Sequence, residues 1–490
     1  MYPVDSGDTT FIVLCTALVL LMTPGLAFFY GGMVRAKNVL TIMMQSFMSM
    51  GIIAVIWIFG GFSLAYGPDI GGLFGSLSYH FALDNVGAEP SPVYAPTVPF
   101  ILFFAYQLMF AIITPALITG APVGRFNTRG YIQFLILWMI LVYIPVCHWI
   151  WGGGFLSRLG VADFAGGIVI HVSAGFAALS TVLFFGPRRK ELRRIEPSNL
   201  PLMAAGAGLL WFGWFGFNAG GAYAGDALAA YAATNTTIAG SVAMTVWLIL
   251  DWHDAKRPSF SGILVGAVAG LATITPCAGY VPPWAAILIG AIGSAVCYYA
   301  KGIQSYFKFD DALEVFRAHG MGGVTGGLLV GVFASTAINN VGAGLHQFCV
   351  QLLGVTVVGA YSFGVTWIIL RIIRQFGPIR VSDEELRKGL DESLYGERAY
   401  ETMNLPGSAA GCPRDEAGAG MAAEGIRTAE TPGDARADAP DTTDGRAGQR
   451  SGGAEQARPG DKAREGEPPR AGRAGGRGRP APGEDQRPDA

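Results

Sequence analysis

Eleven stretches of this chain are apolar for about the length that crosses a bilayer, and nothing else in the sequence constrains the fold as much. They fall at 10–33, 40–66, 99–121, 130–150, 164–186, 200–220, 228–250, 260–280, 283–300, 313–337 and 346–373. Each approaches or exceeds the ~20 apolar residues a membrane helix needs. Hydrocarbon offers no water to an unpaired backbone group, so such spans close their hydrogen bonds internally as helices. The chain is 51% hydrophobic and 14% charged, an average that conceals a division near Gly377, before which the apolar stretches dominate. The fold class expected is an all-α polytopic membrane protein.

Loop charge predicts its orientation. Arg35 and Lys37, Arg125 and Arg129, the run Arg188, Arg189, Lys190, Arg193 and Arg194, then Lys256 and Arg257, Lys301 and Lys308, and Arg371 and Arg374 follow alternate spans. The intervening loops hold Asp69, Asp84, Glu89 and Asp226, with Arg158 as their only basic residue. The positive-inside rule then puts the N-terminus outside and the C-terminus in the cytoplasm. With no basic segment ahead of it and no small-residue cleavage site, 10–33 is expected to be a retained helix. Four cysteines (Cys15, Cys277, Cys297, Cys349) lie in spans, Cys147 near the end of one and Cys412 in the tail, a spacing that suggests neither disulfides nor metal. A net charge of -2 argues against nucleic acid as a partner.

Spans five and ten share the pattern Asp-x7-His-x3-Gly, from Asp163 through His171 to Gly175 and from Asp311 through His319 to Gly323. The loop charges run these two spans in opposite directions. That is the trace of an inverted repeat, five spans plus five with one long C-terminal helix in addition, and it places a substrate site between the halves near the midplane. Spans one and six add a weaker match, FYGG at 29–32 against FNAGG at 217–221. Glycine clusters such as GMGGVTGG at 320–327 read as close helix packing.

An ionisable side chain in hydrocarbon costs roughly 2.5–3.5 kcal/mol or more, so a repeated buried imidazole marks a pathway. Each histidine lies about 12 Å of helix beyond its aspartate, which stands where a carboxylate caps a helix and meets the favourable end of its dipole. Two facing imidazoles suit a metal, a proton relay or a hydrogen-bonded lining for a polar solute. Metal is disfavoured, because no carboxylate or thiolate is spaced to complete the ligand set. A histidine pair sharing one hydrogen can donate and accept in turn, which suits both relay and lining. At the outer mouth, Tyr106 and Phe110 are four apart, Trp214 and Phe217 three apart, and Trp151 opens the loop after span four. With Asp163 nearby, such rings suit a small cation at ~0.5–2 kcal/mol per contact. No nucleophile or metal constellation supports an enzyme, and no cofactor is implied.

Longer blocks carry a family likeness: FYGGMVRAKN at 29–38, DFAGG-x3-H at 163–171, GWFGFNAG at 213–220, TPCAGY at 275–280 and DD-x4-F-x2-HG at 310–320. Through them, residues 9 to about 402 resemble the ammonium transporter (Amt/Mep/Rh) family. The resemblance implies a homotrimer of eleven-helix subunits in the plasma membrane, each with its own pore. It implies recruitment of ammonium at Trp151 and Tyr106 with Asp163 as an essential acid, a gate of Phe110 and Phe217, and a pore of His171 and His319 with Trp214. The tail motif GLD-x4-GE-x-AY at 389–400 is expected beneath the trimer, near where PII-type signalling proteins dock in relatives. Three positions depart from the family pattern. Gly221 stands where many members have a recruiting serine, GAPVGR at 120–125 lacks the acid usual after span three, and Tyr395 replaces a tail histidine.

Reference amine pKa values near ~8–10 keep ammonium cationic at neutral pH, and a bare cation in an apolar pore is costly where ammonia needs only hydrogen-bond partners. The mechanism expected is capture of the cation, loss of its proton near the gate and passage of ammonia along the histidines, with the proton following separately so that transport is electrogenic. A neutral ammonia channel and an ammonium sensor acting through its tail and a docked partner are the alternatives. The organisation expected is a membrane domain over 1–376, a short cytoplasmic regulatory segment over 377–406 in which Ser382 caps a helix from Asp383, and a disordered tail over 407–490. That tail has too few large apolar residues to offset its ordering entropy.

Overall fold

Apolar segments too long for turns become helices throughout the computed structural model, which describes residues 3–189 and 196–400. Lys190, Arg193 and Arg194, Cys412, the end of the regulatory segment and the 407–490 tail lie outside the described residues. Among them, nine helices are long and apolar enough to cross a membrane: Ser6–Met33, Ala36–Tyr66, Phe100–Ile118, Thr128–Arg158, Gly167–Phe185, Leu200–Ala222, Ala227–Ala255, Pro283–Phe307 and Leu345–Gln375. The two other expected spans are shorter or broken. Phe260–Ile274 stops just before Pro276, and span ten is a π-helical turn, Phe316–Gly320, continued by the α-helix Met321–Phe333. The first helix starts ahead of the apolar run because Asp5 caps it, accepting from Asp8 N. Two small antiparallel hairpins, Asp69–Ile70 with Phe74–Gly75 and Pro90–Ser91 with Ala95–Pro99, interrupt the all-helical pattern between spans two and three. The sequence reading did not anticipate them.

Spans one and six meet backbone to backbone along the boundary between the two halves. A Cβ on Gly206 would lie 2.2 Å from Phe29 N, one on Gly32 2.4 Å from Met203 N, and one on Gly213 2.2 Å from Met22 Cγ. Glycine here exchanges side-chain volume for helix proximity, the means of association available where lipid is as apolar as leucine. Span eleven braces both halves with buried polar side chains. Gln351 accepts from Ala162 N at 2.8 Å and donates to Ala162 O at 2.7 Å and Gly327 O at 2.9 Å, while Ser362 donates to Ser173 O at 2.6 Å.

At the end that carries the basic loops, the segment after Gly377 lies against the bundle. Asn127 N donates to Ile379 O at 3.0 Å and Val381 N to Arg125 O at 3.1 Å. Ser382 caps Asp383–Lys388 in a capping box with Glu385, as expected. Asp391, 1% exposed, caps span two instead of its own segment: it accepts from Leu40 N at 3.0 Å, and from Thr41 N and Thr41 Oγ1 at 2.8 Å each. Arg125, expected only as a loop charge, is fully buried and donates to Gly186 O at 3.0 Å, Asp310 O at 2.7 Å and Ala121 O. Burial pushes the Asp310 carboxyl up, but Arg188, gripping both its oxygens, outweighs this and holds it below the usual carboxylate range.

Asp391→Ala removes the acceptor for three donors on span two. It should lower stability by about 1–3 kcal/mol, read as a lower thermal midpoint in detergent together with faster proteolysis of 377–400. An unchanged midpoint and an equally protected tail would show the cap to be idle.

Candidate functional site

The site begins with two capped helix starts. Asp163 Oδ1 accepts from Gly166 N at 2.9 Å and Gly167 N at 2.7 Å, and Oδ2 from Ile168 N at 2.7 Å and Val169 N at 2.9 Å. In the second repeat, Asp311 accepts from Val315 N at 3.1 Å and Phe316 N at 2.8 Å. Each cap opens a π-helical stretch, Gly167–Val172 or Phe316–Gly320, and each stretch carries a histidine. Isolated π turns cluster at functional positions because they re-aim side chains.

The glycine that closes each motif brings the histidines together. A Cβ on Gly175 would lie 2.2 Å from Gly320 Cα, and one on Gly323 2.5 Å from Gly167 O. With the backbones this close, His171 and His319 place their Nδ1 atoms 3.2 Å apart, rings 5.1 Å centre to centre and 24° from parallel. One Nδ1 donates and the other accepts. The donating ring then has a bare Nε2 and the accepting ring an Nε2–H, so the pair offers one acceptor and one donor. His171 Nε2 is buried without a hydrogen-bond partner among the described residues.

A continuous line of rings leads to this pair. Tyr106 meets Phe110 at 4.8 Å, Trp151 meets Phe110 at 6.0 Å, Phe110 meets Phe217 at 4.5 Å, and Phe217 meets His171 at 6.0 Å. Trp214 lies against His171 at 5.7 Å and donates from Nε1 to Thr275 Oγ1 at 3.0 Å. Outside the Phe110–Phe217 contact is a vestibule of about 420 Å³, lined by Trp151, Tyr106, Gln107, Tyr223 and Tyr280 among others. Inside it the lumen shrinks to about 10 Å³, walled by Leu26, Ile113, Leu210, Val268 and the two histidines. That is room for about one water-sized body.

Every residue expected at the site therefore falls on this path, but two differ in what they present. Asp163 lines the vestibule, yet its carboxylate is occupied by its own helix start, and its main-chain oxygen accepts a hydrogen bond from Trp151 Nε1 at 2.8 Å. Tyr106 is 1% exposed and its hydroxyl is held by Gly216 O at 2.8 Å and Phe217 O at 3.0 Å, so it offers a ring and no free hydroxyl. At Gly221 a Cβ would lie 2.8 Å from Phe164 O. A serine there displaces backbone before it adds a hydroxyl, which revises the expectation that Gly221 is simply a missing hydroxyl acceptor. Gln107 and Tyr223 were missed. Gln107 was legible as a polar residue inside an apolar span; nothing in the sequence marked Tyr223.

Asp163→Ala would leave four buried N–H groups without their acceptor, at about 1–3 kcal/mol for each group that water cannot reach. The thermal midpoint should fall well below that of Asp163→Asn, which keeps one acceptor oxygen. Equal midpoints for both variants and the parent would mean that the helix start needs no cap.

The model of the Ammonium Transporter Family matches residues 10–400. The ammonium transporter of Bacillus subtilis (strain 168) is 42% identical over 402 residues, covering 81% of this chain and 98% of that protein. Ammonium transporter Amt1 of Archaeoglobus fulgidus is 42% identical over 401 residues, covering 81% and 100%. Among solved structures, Mep2 of Candida albicans superposes with a TM-score of 0.73 at 35% identity, covering 78% of this chain and 88% of that one. A structure described as a sensor Amt protein gives a TM-score of 0.73 at 28% identity, covering 79% and 98%. A capped, twin-histidine lumen behind an aromatic vestibule, in a fold shared with these proteins, makes this chain a multi-pass membrane protein of the ammonium transporter family.

Proposed function

We propose that the protein takes up ammonium by capturing the cation in the aromatic vestibule, removing its proton at the Phe110–Phe217 contact and passing ammonia along His171 and His319, with the proton crossing separately so that transport is electrogenic. The observation that carries this reading is the 3.2 Å Nδ1 contact in a lumen of about 10 Å³. A cation there loses its water and meets no carboxylate oxygen free to replace it, which is costly. Ammonia fits the one acceptor and one donor that the pair offers. Potassium has no proton to leave behind.

The same reading orients the N-terminus outside and the tail in the cytoplasm and assembles the chain as a homotrimer, with 377–400 as the surface through which subunits or a docked PII-type protein act on the pore. A sensor is the second reading, favoured by the likeness to the sensor Amt protein. It requires ammonium to bind without sustained current.

Solid-supported-membrane currents on protein in liposomes test both. His171→Asn with His319→Asn should leave the oligomer assembled and abolish the ammonium-driven current; an unchanged current would refute the route. A parent protein that binds ammonium but carries neither current nor ammonia flux would favour the sensor. Ending the chain after Thr402 should preserve transport, whereas ending it after Gly377 should reduce it or uncouple the subunits. Loss of transport on removing 407–490 alone, with the oligomer intact, would overturn that division.

A further inference from the structure

Tyr223 follows the short helical turn Gly220–Ala222 with φ 53° and ψ 15°, in the left-handed region that a residue with a Cβ enters only at a cost. Glycine would hold the turn without strain, so the side chain must be what the position is for. Its ring stands edge-on to Tyr106 at 5.8 Å and tilted against Phe103 at 5.3 Å. The phenol thereby reaches the vestibule wall beside Trp151 and Gly221. There Tyr223 Oη accepts from Gln107 Nε2. Gln107 is 3% exposed, and its Oε1 is buried with no partner among the described residues.

An orphaned amide oxygen in a polar pocket is an acceptor waiting for a donor. The other expected acceptors are taken: the Asp163 carboxylate by its helix start, the Asp163 carbonyl by Trp151. Gly221 offers no hydroxyl, and adding a side chain there displaces the Phe164 backbone. We infer that Tyr223 and Gln107 form the hydrogen-bonding half of the cation-capture site, the phenol fixing the amide so that Gln107 Oε1 and the Tyr223 oxygen accept N–H from a small onium cation while the Trp151 and Phe110 rings take its charge. The inference rests on the proposed transport function for its biological meaning, but not for its test.

The test reads binding as well as flux: ammonium titrated against tryptophan fluorescence of the full-length protein in detergent, and half-saturation and saturating current in liposomes. Tyr223→Phe keeps the ring and the backbone and removes one oxygen. One hydrogen bond to a charged ligand corresponds to about tenfold or more in affinity, so half-saturation should rise by about that factor while the saturating current is retained. Tyr223→Gly relieves the left-handed strain but removes the ring contacts with Phe103 and Tyr106; its affinity should fall at least as far as that of Tyr223→Phe. Weakened binding in Tyr223→Phe with the thermal midpoint unchanged is a result that a packing role cannot give. Unchanged binding in Tyr223→Phe overturns the inference, and so does a loss of current and midpoint together in Tyr223→Gly with affinity intact. If the parent binds ammonium and the variants weaken it but no current flows, the transport reading fails and this one stands.

Discussion

A buried N–H must find an acceptor, and in this bundle the most exacting case is the start of span five, where four successive backbone donors open a helix inside the protein and one carboxylate serves all of them. The His171 side of the site is referred to that anchor. The π turn begins there, His171 is positioned from it, and Trp151 is tethered to the same residue through the Asp163 carbonyl. Gln351 of span eleven holds the preceding residue, Ala162, by both its N–H and its carbonyl. The four N–H bonds fill the carboxylate oxygens, so Asp163 presents no open acceptor to the vestibule.

The motif Asp-x7-His-x3-Gly was legible because each of its letters answers a separate physical demand. The aspartate satisfies a helix start, the histidine supplies a group that both donates and accepts, and the glycine removes the Cβ that would keep the two helices apart. The eleven apolar stretches were legible for a simpler reason, since hydrocarbon permits few alternatives to a helix. What the sequence hid depends on backbone geometry or on distant partners. Asp391 reads as one acid among several in an amphiphilic tail, yet its acceptors are spent on Leu40 and Thr41 some 350 residues earlier. Arg125 reads as a positive-inside charge and is a fully buried strut. Tyr223 carries its meaning in a φ of 53°, which no pattern of residue types announces.

The open volume falls across the Phe110–Phe217 contact from about 420 Å³ outside to about 10 Å³ within, and the proposed transport draws its selectivity from that change. In the vestibule a cation keeps much of its hydration and adds ring faces. Past the contact it would have to shed every water at once, and the lumen walls return only the imidazole pair. Desolvation of a monovalent ion exceeds what two neutral imidazoles restore. On the proposed reading, a species that becomes neutral at the contact is spared that penalty, and the discrimination is between ions that hold a transferable proton and ions that do not.

The two repeats are not held equally. Asp163 makes four backbone bonds and is braced from span eleven, whereas Asp311 makes two. The support that Asp311 lacks at its own helix comes from the loop after span three: Ala312 N donates to Ala121 O at 3.2 Å and Leu313 N to Gly120 O at 3.1 Å. That loop is in turn fastened by Arg125, which donates to Asp310 O and whose own carbonyl receives Val381 N from the tail segment. The His319 end of the pair is thus set by a hydrogen-bonded succession that passes through the 377–400 segment, and the His171 end by a cap that does not involve it. Further along the same segment Asp391 holds the start of span two, and Arg380 donates to Phe185 O at 2.7 Å at the far end of the helix that carries His171.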